Sequence, residues 1–340
     1  MITGALRFRL PLAILVLFFW ACSSGTATSP PASPTSVDSP RPTGLPFPSP
    51  NVEVLAPKAR IPLSGGTATA LAVADGALWV THFEDGVLSR VDPASGVETG
   101  TSAVGPNGTS MTALDAKLWI ARDSMGAGQS VLVVVDPPSG RVEQEIELAD
   151  VCCQTASAGG SVWAVDPRGT LLRLDPATGE VVGKTSVKLD ALNGHTDLAG
   201  DDRGLWIASD TTRLTRVDPD NGEVAKRVDV GGGIPMTLDG DLLWGASPHH
   251  LWAIDPATGR IALTFELEDT IETFSIAVTQ DNIWLAARRP GRVGTVRRYD
   301  LATHELNGQA AVALPARLVF TFGGIWVLDA ESNELLRFDP

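Results

Sequence analysis

The stretch Gly76-Ala77-Leu78-Trp79-Val80, followed a dozen residues on by Leu88-Ser89-Arg90-Val91-Asp92-Pro93-Ala94-Ser95-Gly96, decides the fold, because the chain writes it seven times. Tryptophans stand at Trp79, Trp119, Trp163, Trp206, Trp244, Trp284 and Trp326, at intervals of 40, 44, 43, 38, 40 and 42. Each is followed by an aspartate that closes a strand: Asp92, Asp136, Asp175, Asp218, Asp255, Asp300 and Asp339. A period near 40 residues with several short strands per repeat is the sequence sign of a β-propeller. The expectation is an all-β, seven-bladed propeller over residues 51–340, with four antiparallel strands per blade.

One repeat parses from its own pattern. Thr69 to Ala74 alternates small and apolar residues, as an innermost strand a beside a crowded axis would. Asp75-Gly76 makes a hairpin turn, since glycine tolerates positive φ. Strand b carries Leu78-Trp79-Val80, and strand c runs from Leu88 to Val91. In the turn Asp92-Pro93-Ala94-Ser95-Gly96, aspartate caps, proline presets φ and glycine takes the left-handed position. Strand d is Val97 to Val104. The last repeat stops at strand c, in Leu335 to Asp339. The N-terminal segment Val54 to Leu63 is expected to supply its missing strand d, closing the ring and removing an open edge.

Gly-x-Leu-Trp-Val on one strand and Leu-x-Arg-Val-Asp-Pro-x-Thr-Gly at the later turn resemble the YVTN/PQQ-like propellers and the related virginiamycin B lyase-like propellers. The resemblance covers about residues 51–340 and implies architecture. In lyases of that type an acid–base histidine and a metal-binding glutamate lie in the central cavity. No motif here carries those two residues over by position, and no quinone-cofactor site is legible, so the cofactor stays unassigned.

Composition fits a single large all-β domain: 34 glycines and 24 prolines suit many tight turns, and 44% hydrophobic residues suffice for a core. Net charge is −14, and removing residues 1–21, which hold Arg7 and Arg9 and no acid, makes it −16. A surface that acidic repels phosphate backbones, so no nucleic-acid partner is expected. Three cysteines, Cys22, Cys152 and Cys153, make neither a disulfide framework nor a zinc-ligand spacing.

Residues 1–21 read as a lipoprotein-type signal peptide, with Arg7 and Arg9, an apolar run from Leu10 to Trp20, and Ala21 before Cys22. The run is too short to span a ~30 Å hydrocarbon core as a helix. Phe19-Trp20-Ala21-Cys22 resembles a bacterial lipobox, departing from it at Phe19, where leucine is usual, and at Trp20, where a small residue is usual. The resemblance implies a diacylglycerol on Cys22; the alternative is an ordinary signal peptide and a secreted protein. Residues 22–50 are rich in Ser, Thr and Pro, with only Asp38 and Arg41 charged. Such a segment cannot bury enough apolar surface to fold and reads as a linker reaching roughly 90 Å.

With strand a innermost, the a–b and c–d turns share one face of a propeller, and the b–c and d–a loops share the other. The turns here are short and repetitive, so their face reads as structural; the loops vary, and variable loops on a rigid scaffold are the usual place to bind. Three residues past each tryptophan, the b–c loops begin at His82, Arg122, Asp166, Ser209, Ser247, Ala287 and Asp329, with Arg288 beside Ala287. His82, Arg122, Asp166, Arg288 and Asp329 are candidates for holding a polar ligand; the alternative is solvated loop residues that bond blade to blade. One d–a loop adds His195 and Asp197, which could co-ligate a metal, pair as base and orienting carboxylate, or be ordinary loop contacts. Adjacent Cys152 and Cys153 could form a strained vicinal disulfide, as occurs beside the cofactor of some PQQ-dependent propeller enzymes, or be two buried thiols. The regular tryptophans read as packing between blades.

These readings describe a monomeric extracytoplasmic propeller, anchored to the membrane by lipid, that binds a cell-envelope protein or a small polar ligand. The alternative is a propeller enzyme, either a metal-dependent lyase or a PQQ-like oxidoreductase, with its site at the mouth of the central channel. Convergence separates them, since an enzyme gathers a histidine and carboxylates at that mouth.

Overall fold

The computed structural model describes residues 52–340 apart from 124–128, 149–153, 166–168, 189–195, 210–211, 233 and 268–270. Its strands form seven sheets, one per repeat, and each inner strand lies between the inner strands of two neighbouring sheets, so the ring closes. The seven blades cover 68–103, 108–148, 154–186, 196–229, 236–266, 272–311 and 315–338. Blade 1 shows the shared antiparallel order: strand a is Ala68–Ala74, b is Ala77–His82, c is Val87–Asp92 and d is Val97–Ala103. Among the described residues there is no helix.

The core lies in the seams. Seven clusters of buried apolar side chains each join one blade to the next, including the cluster that joins blade 7 to blade 1. All seven repeat tryptophans are at most 5% exposed, which makes them the bulkiest fillers of those seams. The arginine of the Leu-x-Arg-Val-Asp motif has a matching reason. Trp79 pairs across strands with Arg90, Trp163 with Arg173, Trp284 with Arg298 and Trp326 with Arg337. In each pair the guanidinium lies 5.6–5.8 Å from the indole centroid, a cation–π roof over the ring. Blade 5 departs from the pattern: Trp252 on strand c is buried, and Gly245 faces it because a Cβ there would meet the indole at 2.1 Å.

Both kinds of turn follow the sequence. In the c–d turns the aspartate accepts backbone N–H groups two and three residues on, as Asp92 does from Ala94 at 3.0 Å and Ser95 at 3.3 Å. Asp175, Asp218, Asp255 and Asp300 do the same. The a–b hairpins of blades 1, 2, 3 and 7 put both central residues at positive φ, the primed turn that suits twisted strands.

Blade 7 is completed from the other end of the chain. Ala59–Pro62 pairs antiparallel with Glu334–Phe338 and supplies strand d, as expected. The segment before it was not legible as a strand: Glu53–Val54 pairs parallel with Leu306–Ala311 and adds a fifth strand to blade 6. Glu53 also lies 2.6 Å from Arg298. The N-terminal segment therefore straps blade 6 to blade 7.

Candidate functional site

Every a–b hairpin turns in two residues, so a fixed offset from the tryptophan reaches the same place in each inner strand. Nine residues before each tryptophan stand Ala70, Ser110, Gln154, Asp197, Pro235, Ser275 and Arg317. All seven line one cavity of about 140 Å³ in the central channel, together with Leu71, Met111, Thr155, Leu198, Met236 and Phe274. Pro235 stands just before its inner strand, and the other six lie between the start and the midpoint of theirs, nearer the d–a loops.

This ring also stitches blades together. Ser110 of blade 2 accepts the backbone N–H of Thr155 in blade 3 at 3.0 Å, and Ser275 of blade 6 accepts that of Leu318 in blade 7 at 2.9 Å. Asp197 of blade 4 makes the same stitch with a carboxylate oxygen, 2.8 Å from the N–H of Met236 in blade 5. Its other oxygen accepts the N–H of Leu198 at 3.0 Å. Asp197 is half-buried, with part of its side chain facing the channel. That burial raises its pKa above the ordinary aspartate value; the positive charge of Arg317 and the two N–H donors oppose the rise without cancelling it. Arg317 stands three blades away around the ring. Its Nη1 reaches the carbonyls of Phe274 and Ala316 at 3.4 Å.

Of the described residues singled out in the sequence, only Asp197 lines this cavity. His82 is 1% exposed, and both ring nitrogens are engaged, with the Gly66 carbonyl at 2.7 Å and the Ser89 hydroxyl at 2.8 Å. Asp329 is buried and accepts N–H groups from Ala313, Leu314 and Glu331, which fixes the loop that enters blade 7. Arg122 and Arg288 stand at the rim. Arg122 bonds the Pro106 carbonyl at 3.0 Å and lies 3.5 Å from Glu145; Arg288 grips Glu272 at 2.7 Å. Each of these four described b–c side chains is thus held by partners of its own. Asp166, His195, Cys22, Cys152 and Cys153 lie outside the described residues. Among the described residues, no three His, Cys, Asp or Glu side chains are grouped to hold a metal ion.

The turn face, expected to be structural, carries one exception. Around the far end of the channel the a–b turns present Asp75, Asp115, Asp202, Asp241 and Asp281 from blades 1, 2, 4, 5 and 6, all exposed. Blade 7 puts Phe322, 43% exposed and at φ 50°, at the first turn position, the one that Asp75, Asp115 and Asp202 hold in blades 1, 2 and 4. Blades 1 and 2 place Asp75 and Asp115 at the equivalent left-handed position. Short polar side chains tolerate that conformation far better than a bulky aromatic does. Phe320, 41% exposed, is two residues back on the same inner strand. It lies on the side of the strand that Leu318 turns toward blade 6, so it points toward the turn bearing Asp281.

Comparison with known proteins gives a consistent picture. A PQQ-like family model described as outer membrane protein assembly factor BamB matches residues 59–228, half of the chain. Among solved structures, the crystal structure of BamB from Moraxella catarrhalis superposes with a TM-score of 0.61 at 15% identity. The match covers 84% of this chain and all of that one. No curated protein matches the sequence.

Proposed function

Because the chain belongs to the PQQ-like propeller family described as outer membrane protein assembly factor BamB, we propose that it is a protein-binding module of the cell envelope. In this reading residues 1–21 direct export, Cys22 carries the lipid, and residues 22–50 hold the propeller away from the membrane. The observation that carries the binding role is Phe322, a bulky aromatic in left-handed backbone, exposed where sister blades place aspartate. Strain kept at an exposed apolar residue stabilises nothing in the free protein and is typical of contact sites. Carboxylates on the neighbouring turns give the patch an acidic surround. Its partner is therefore a basic protein segment that presents an apolar side chain to Phe320 and Phe322. The same acidic surround repels anionic lipid, so the membrane itself is not the occupant.

A photo-crosslinking phenylalanine analogue replacing Phe322 in cells tests this, with the same analogue at Thr99 on an outer strand as control. A discrete protein adduct at 322, absent at 99 and lost when the chain carries Cys22→Ser, is the expected result. Adducts of equal yield at both positions, or none at 322, contradict it.

A further inference from the structure

The channel ring holds two opposite charges that do not meet. Asp197 and Arg317 share one cavity, and Arg317 forms no ion pair among the described residues. Each carboxylate oxygen of Asp197 uses one acceptor site on a backbone N–H and keeps another. On Arg317 only Nη1 has carbonyl partners, both long, and Nε and Nη2 donate to no described residue. The stitch itself does not demand the charge on Asp197, since hydroxyls make the equivalent contact at two other seams.

We propose that this ring binds a small zwitterion of the α-amino acid class, its ammonium on Asp197 and its carboxylate on Arg317. A simple cation beside Asp197 would be repelled by Arg317, and a simple anion on Arg317 by Asp197. A molecule that carries both signs satisfies both partners at once. The guanidinium fork suits a carboxylate in two-point contact, and the partly shielded channel strengthens each charge pair beyond its value in bulk water. Ser110, Gln154 and Ser275 supply neutral polar contacts around the ring. A cavity of about 140 Å³ sets the size, admitting glycine, alanine or serine and excluding tryptophan. This site goes beyond the protein-binding reading and lies away from Phe322, so either can fail alone.

Calorimetric titration of the purified full chain with glycine, L-alanine, L-serine, L-tryptophan, acetate and methylammonium tests it. Saturable binding of the three small amino acids is expected, at least tenfold tighter than acetate or methylammonium, with none for tryptophan. Arg317→Gln and Asp197→Ser, each verified as folded by circular dichroism, should each weaken glycine at least tenfold. The serine variant keeps an acceptor for the Met236 N–H, and Arg317→Gln leaves that stitch untouched. Three results overturn the proposal: acetate binding as tightly as glycine, either folded variant binding like the parent, or no heat of binding from the folded parent chain.

Discussion

The seam between blades 4 and 5 and the seam between blades 6 and 7 solve one problem in two ways. Each must supply an acceptor for a backbone N–H that the next inner strand turns toward it. Ser275 does so with a neutral hydroxyl, Asp197 with a carboxylate that burial makes costly to ionise. The serine seam shows what the architecture requires, and the aspartate seam carries something in addition. A side chain whose extra chemistry the fold does not use is a better functional candidate than one whose every atom is spoken for, such as His82 or Asp329.

The largest expected effect comes from removing the neutral stitch. Ser275→Ala leaves the Leu318 N–H buried without an acceptor, which costs about 1–3 kcal/mol. Urea unfolding should show a lower midpoint at unchanged slope; an unchanged midpoint would mean that water replaces the hydroxyl and that the stitch is dispensable. Next comes Phe322→Asn on the turn face, where relief of left-handed strain should raise stability by roughly 1 kcal/mol while the partner contact is lost. A variant that is both more stable and still crosslinked to its partner through a neighbouring turn position would detach the strain from function.

A smaller effect separates the two kinds of carboxylate by pH. The turn aspartates Asp92, Asp255 and Asp300 have lowered pKa values, Asp92 and Asp255 chiefly through side-chain hydrogen bonds from Ser95 and Thr258, and Asp300 chiefly through the Thr303 N–H. Their contribution is present above the ordinary aspartate pKa of about 3.9 and is lost as pH falls through the lowered values. Asp197 has the opposite sign: its raised pKa favours the fold in acid, and that advantage is lost as pH rises through the raised value. Asp92→Asn should therefore flatten the acid limb of a stability–pH curve slightly, whereas Asp197→Ser should alter the limb above it.

The period of tryptophan and aspartate made the blade number legible, and the missing last strand made the ring closure legible. The parallel strand at Glu53–Val54 was not, because two residues with exposed side chains show no alternation to read. The candidate site was half legible. Reading three residues past each tryptophan reached the ends of strand b, where side chains such as His82 and Asp329 turn into the protein to hold loops. Reading nine residues before it would have reached the channel, and Arg317 with it. In sequence Asp197 stands out for its nearness to His195, whereas what places it is the register of strand a against strand b. Phe322 sits on a turn face whose pairs vary from blade to blade, so its signal is only an aromatic at the position where blades 1, 2 and 4 carry aspartate.

The most direct test of the central claim, that the ring's charge serves binding and not the fold, is urea unfolding of the parent chain and Asp197→Ser from pH 4 to pH 8. Serine keeps the stitch and removes the buried charge. Equal stability at pH 4, with the variant equal or up to about 1 kcal/mol more stable at pH 7, is predicted. A variant less stable than the parent by about 2 kcal/mol or more at pH 7 would contradict the account, because the carboxylate would then be part of what holds blades 4 and 5 together.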